Sequence, residues 1–146
     1  MAGVYASRGL SALVFRGANT GLDELTTTDA NQVWLVSGGA VVETEFDARE
    51  SLGMASSTIE DLAGGEATEN AAVARDVLSG GGADAVRDAV ALNVGAGILA
   101  WEGLDNPVTQ ADFDQRMRGA VERALAALAD GSGARLIERW VAASNG

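Results

Sequence analysis

The stretch RGANTGLDELTTT, residues 16–28, comes directly after the short, mostly apolar run SALVF, residues 11–15. A run of that kind suits a strand buried on both faces of a parallel sheet, where helices cover both sides and alternation is lost. The next segment, with Gly17, Gly21 and a polar tail, is then a loop at the carboxyl end of the strand. Open α/β sheets bind their ligands at that end. The loop carries two adjacent carboxylates, Asp23 and Glu24. A loop can aim both at one cation, with water and phosphate oxygens completing the shell. Adjacent acids also occur in exposed turns, where they are simply solvated, and spacing alone leaves both readings open. The hydroxyls of Thr26, Thr27 and Thr28 could meet a phosphate, although capping the loop is their more ordinary role.

Outward from this loop the periodicity changes twice. Residues 1–9 read as the last turns of a helix ending at Gly9. Residues 32–37 and 40–46 alternate in the strand sense, with Gly38-Gly39 between them as a two-residue hairpin turn. From residue 58 onward the period is helical. One short turn is expected over residues 59–62, and a helix over 66–78 with Ala67, Ala71, Ala74 and Leu78 on one face. Its early acids Glu66 and Glu69 and late Arg75 match the helix dipole. Gly80, Gly81 and Gly82 break the chain before a second helix, 83–101, apolar nearly all round and therefore expected to be buried. Gly95 and Gly97 within it point to close packing against another element. Thr109 with Asp112 resembles a capping box, ahead of a helix with Phe113, Met117, Val121, Leu125 and Leu128 along one stripe. Asp130-Gly131 ends that helix, and Ser132 caps a last one with Leu136, Ile137, Trp140 and Val141 facing inward.

Composition narrows the chemistry. The 146 residues fit one domain, and with 47% apolar residues the chain should fold. There is no cysteine and no histidine, which removes disulfides, thiolate or imidazole metal sites and Ser-His-Asp catalysis within this chain. Carboxylates and backbone oxygens remain, ligands that suit hard cations such as magnesium. Asp and Glu outnumber Lys and Arg by 21 to 10, a net charge of −11, and every basic residue is an arginine. That balance argues against binding a nucleic-acid backbone. The opening MAGVYASRG lacks a signal-peptide pattern, and the longest apolar stretch, 89–101, is too short to span a bilayer and contains Asn93. The chain reads as soluble and cytoplasmic, with no membrane association. A lone parallel strand needs neighbours on both sides, so the sheet to which 11–15 belongs is largely encoded elsewhere.

Three blocks then resemble one family. RGANTGLDELTTT (16–28), IEDLAGGEATENAAVARDVLSG (59–80) and RDAVALNVGAG (87–97) resemble, in order and separation, segments of the anthranilate phosphoribosyltransferases. In that family the first block usually reads HG, a short spacer and GLDE; the second carries GGD and A-x-EN-A; the third is RD, an apolar run and LNA-x-A. The resemblance covers essentially the whole chain, as the C-terminal portion of a nucleoside phosphorylase/phosphoribosyltransferase-type α/β domain (strand, β-hairpin, then packed helices). It implies transfer of the phosphoribosyl group of phosphoribosyl pyrophosphate (PRPP) to the amino nitrogen of anthranilate, with release of pyrophosphate, in tryptophan biosynthesis. It also implies that Asp23 and Glu24 help bind the magnesium ions that accompany PRPP.

This sequence departs from the pattern in places. Arg16 stands where the family has His, the spacer before GLDE is one residue longer, and GGD has become Gly64-Gly65-Glu66. Glu66 and Asn70 could touch the site, but helix-start capping and a buried amide network are the more ordinary roles. The family's glycine-rich PRPP loop, its Lys-His-Gly-Asn segment and its anthranilate-binding residues have no counterpart here. The expectation is therefore half a site, inactive alone and completed by the rest of the fold, with self-association or a partner chain covering an open sheet edge. The alternative is a non-catalytic binding or assembly module of the same descent. A pyrimidine nucleoside phosphorylase relative would share the fold but not the GLDE and GG[DE] blocks.

Overall fold

The computed structural model describes residues 1–146. Three strands, β1 (Ala12–Gly17), β2 (Asn31–Ser37) and β3 (Ala40–Phe46), form one antiparallel sheet in the order β1-β2-β3. The hairpin lies where the sequence places it. Ser37 pairs with Ala40 across Gly38-Gly39, whose φ angles of 56° and 79° belong to the mirror-image turn that matches the strands' own twist.

β1 differs from expectation. It pairs antiparallel with β2, Ala12 opposite Val36 and Gly17 opposite Asn31, and its other side has no strand beside it. The expected parallel strand, buried on both faces, is thus a half-buried antiparallel edge in this chain. Its apolar run is still explained by layers on both faces. Leu13 and Phe15 pack on the helical core, while Val14 lies with Trp34 and Val41 beside the start of helix α1 (Ala2–Ser7).

The remaining elements are α2 (Ala48–Leu52), a 3-10 turn (Glu60–Leu62), α3 (Ala67–Leu78), α4 (Asp84–Glu102), α5 (Phe113–Ala129) and α6 (Ser132–Asn145). The core joins one sheet face to α4 and α5. Val33, Leu35 and Phe46 come from the sheet, Leu92, Ala96 and Leu99 from α4, and Met117, Val121 and Leu128 from α5. Phe46 meets Phe113 edge to face at 5.3 Å, which ties the end of β3 to the first turn of α5. The expected α5 stripe is buried, apart from a half-buried Leu125. Thr109 donates its N–H and hydroxyl to Asp112 Oδ1 at 2.8 and 2.9 Å, but the helix starts only at Phe113. The motif is a turn that leads into the helix.

Two helices are less buried than their patterns suggest. α3 buries only Val77, and Ala67, Ala71 and Ala74 are exposed. α6 buries nothing: Leu136, Trp140 and Val141 are 55%, 71% and 51% exposed, which corrects the inward-facing assignment. Ser132 is the first helical residue and not the cap, which corrects that expectation: the N-cap position is Gly131, and Asp130 Oδ1 accepts the Ser132 N–H. The physical reason is common to both helices. An apolar stripe reports a face that needs covering, and in this chain these two are covered only in part, at Val77 and Leu78 on α3 and at the half-buried Ile137 on α6. The surface agrees. A self-contained monomer of 14.8 kDa exposes about 7,000 Å2, whereas this chain exposes 8425 Å2 and buries only 25 of its 146 residues. No helix is long and apolar enough to cross a membrane.

Gly95 and Gly97 divide. A Cβ on Gly95 would lie 2.7 Å from Val121 Cγ2 and 3.1 Å from its backbone nitrogen, so Gly95 sets the closest approach of α4 to α5. A Cβ on Gly97 would meet nothing within 4 Å. Gly97→Ala should therefore stabilise the chain by about 1 kcal/mol through helix propensity. Gly95→Ala gains the same propensity but forces overpacking of about 1–3 kcal/mol, and should destabilise it. Urea midpoints shifted in opposite directions are the expected outcome.

Candidate metal-binding loop

The loop between β1 and β2 is tied at its base by backbone bonds, Gly17 N–H to Leu22 O and Ala18 N–H to Ala30 O, each 2.8 Å. Asp29 Oδ2 accepts from the N–H groups of Asn19 and Thr20 at 2.7 and 3.0 Å. Asp29 Oδ1 and Thr20 Oγ1 are buried without a protein partner.

Past the acid pair the loop is gripped by two side-chain amides. Asn93, on α4, accepts the Leu25 N–H at 3.1 Å and donates to the Leu25 carbonyl at 2.9 Å. Asn31, at the start of β2, accepts the Thr26 N–H and donates to the Thr26 carbonyl, both at 2.9 Å, and donates also to Phe46 O at 3.2 Å. Each carboxamide thus serves one residue's backbone donor and acceptor, as a neighbouring strand would. Leu25 is 1% exposed and part of the core, so its peptide could not leave these bonds for water cheaply. The threonines are engaged in the same way. The Thr26 hydroxyl accepts the Thr28 N–H at 3.0 Å and donates to Thr28 Oγ1, and Thr27 pairs with Ser57 at 2.7 Å, both hydroxyls within the protein. Capping the loop, the ordinary role, is what these hydroxyls do.

Against this fixed background Asp23 and Glu24 are exposed, and neither carboxylate forms a hydrogen bond or ion pair within the chain. Glu24 stands at the rim of an open groove of about 500 Å3, lined also by Leu25, Leu62, Val86, Val90 and Asn93. A second groove of about 420 Å3 adjoins it and shares Leu62, Val86 and Val90, with α3 as its far wall. No three acids come together anywhere, so the chain contains no all-protein metal cage. The donor set instead fits magnesium, which keeps several waters and takes one or two carboxylates plus phosphate oxygens.

The other residues singled out in the sequence have structural partners. Arg16 donates from Nε and Nη2 to Gln32 Oε1 at 3.1 and 2.9 Å, and Gln32 donates on to Glu43 across the sheet. Glu66 donates its N–H to Glu69 Oε2 at 2.9 Å as the start of α3. Asn70 holds the N–H and carbonyl of Gly65, each at 2.8 Å. Helix-start capping is borne out at Glu66, and Asn70 is an amide partner as expected, but it is exposed, which corrects the buried network. Gly80, Gly81 and Gly82 form the break between α3 and α4. Near the groove, the N–H and hydroxyl of Thr58 hold the Asp61 carboxyl below its usual value. On α4, burial pushes the Asp88 carboxyl up.

The loop-holding role of Asn31 and Asn93 does not follow from the sequence reading. The signal was present at 93, an amide inside an otherwise apolar helix, where a buried polar group requires a partner.

The chain belongs to the glycosyl transferase family, whose a/b domain model matches residues 1–134. The relatives it resembles there are anthranilate phosphoribosyltransferases. That of Arthrobacter sp. (strain FB24) is 48% identical over 146 residues, all of this chain and 40% of that protein. That of Nocardia farcinica is 46% identical over 99% of this chain and 41% of that protein. The crystal structure from Thermus thermophilus superposes with a TM-score of 0.73 at 34% identity, over 92% of this chain and 36% of that one. A Saccharomyces cerevisiae enzyme in complex with PRPP and Mg shares the fold at 19% identity and a TM-score of 0.71, over 89% and 34% of the two chains. The chain spans about 40% of the length of the curated relatives it matches.

Asn31 is fully buried with three hydrogen bonds. Asn31→Ala should strand the Thr26 N–H and carbonyl, costing about 2–3 kcal/mol. Urea unfolding reads the loss, and a cost below about 1 kcal/mol would show that water replaces the amide.

Proposed function

We propose that this chain is the C-terminal part of the large domain of an anthranilate phosphoribosyltransferase and supplies its magnesium-binding loop. The observation that carries this is the contrast within one loop. The peptides after the acid pair are clamped, while the Asp23 and Glu24 carboxylates make no bond to the protein. The close sequence relatives over the full length of the chain support the substrate class, PRPP and anthranilate.

In the reaction the bond from the anomeric carbon of PRPP to pyrophosphate breaks, and a bond to the anthranilate nitrogen forms as that nitrogen loses a proton. Pyrophosphate departs with several negative charges, which a bound magnesium ion would neutralise. Asp23 and Glu24 would hold that ion. Their part is electrostatic and positional, and no proton transfer is assigned to them. The rest of the PRPP site would come from outside this chain, which has no lysine and no histidine to offer. The surface in excess of a self-contained domain, including the grooves beside Glu24 and the exposed faces of α3 and α6, is where that remainder would pack.

The isolated chain, assayed with PRPP, magnesium and anthranilate, should show no turnover above background; normal turnover would overturn the incomplete-site reading. In an enzyme reconstituted with the rest of the fold, Asp23→Asn should raise the magnesium concentration needed for half-maximal rate by about tenfold or more. An unchanged magnesium dependence would return the pair to a solvated turn.

A further inference from the structure

Asn93 combines two properties that a merely structural amide would not need together. It lies on α4 and reaches across to the backbone of Leu25, 68 residues away in the chain and directly after Glu24. It also lines the same groove that Glu24 rims. Its Nδ2 makes a further bond to Ala89 O at 2.9 Å, one turn back on its own helix, so the amide plane is fixed before it meets the loop. The carboxamide therefore has no rotational freedom left to spend.

We infer that Asn93 is a positioning residue for the metal-binding pair, fixing the Glu24–Leu25 peptide beside the groove that Glu24 lines and so the backbone from which both carboxylates project. The inference rests on the reading of Asp23 and Glu24 as metal ligands. Two flexible carboxylates on an untethered loop would each lose conformational entropy on converging on one ion. Anchoring the peptide after Glu24 removes part of that cost before the ion arrives. Asn31 performs the same grip one residue on, but it is fully buried, is tied to Phe46 and does not line the groove. Its role is to hold the loop to the sheet. Asn93 is the grip nearest the ligands.

The test titrates this chain with manganese alone as a paramagnetic probe and tracks line broadening of the backbone amides by NMR. In the wild-type chain the amides of Asp23 and Glu24 should broaden first, and Asp23→Asn should abolish that selectivity. Asn93→Ala should keep the same amides as the first to broaden but need about tenfold more manganese, the lower end of what loss of an outer-shell partner costs. Its Leu25 amide should also lose protection from hydrogen exchange. If Asn93→Ala does not fold, Asn93→Ser takes its place. The short hydroxyl cannot span both groups of Leu25, and the same two outcomes apply. Broadening at the wild-type manganese concentration in a folded variant would overturn the positioning role and leave the metal site standing. Failure of the wild-type pair to broaden selectively, or of Asp23→Asn to abolish the effect, would overturn the metal site itself and the inference with it.

Discussion

The contact between the Asn93 side chain and the Leu25 backbone holds this structure's two halves in register where it matters. On one side is the sheet with its loop; on the other is α4, the helix that brings Leu92, Ala96 and Leu99 to the core. Hydrophobic burial alone would bring them together without fixing which residue of the loop lies over which turn of the helix, because apolar contact is not directional. A carboxamide is directional. It has one donor edge and one acceptor edge at the spacing of a peptide's own groups, and it satisfies Leu25 only in one placement. Because Leu25 is buried, misplacement would strand a donor and an acceptor away from water, at about 1–3 kcal/mol each.

The same device recurs. Asn31 on Thr26 and Asn70 on Gly65 each close on the N–H and carbonyl of a single residue. In each case an irregular segment is given the hydrogen-bond partner that regular structure would have provided. The result is a loop whose backbone is as constrained as a strand while two of its side chains remain free. That combination places rigid support beneath two uncommitted carboxylates.

How much could be read from the sequence depends on where each pattern finds its partner. The hairpin was legible because the signal is local. Gly38-Gly39 permits the turn, and alternation on either side sets the register. The α5 stripe was legible because its partners, α4 and the sheet, are in the chain. α6 carries a pattern of the same kind, and reading it as inward-facing failed because periodicity says that a face is to be covered without saying by what; the α3 stripe is likewise left mostly open. β1 was misjudged for a related reason. An apolar strand reports burial on both faces, and α1 on one side and the core on the other provide it with an antiparallel neighbour as well as with a parallel one. Of the candidate site, Asp23 and Glu24 stand out through their motif. The amides that place the loop did not, since nothing in local spacing links residue 93 to residue 25.

The charge of −11 has a consequence for a chain that leaves Trp101, Leu104, Leu136 and Trp140 open to solvent. Two opposed tendencies act between copies, like-charge repulsion and attraction between apolar faces. The first reaches about 30 Å at 0.01 M salt but only about 8 Å at 0.15 M, while the second hardly depends on dilute salt. Ionic strength therefore acts as a colloidal control on this chain: dilute buffer keeps copies apart by repulsion, and physiological salt leaves the apolar faces to decide the encounter.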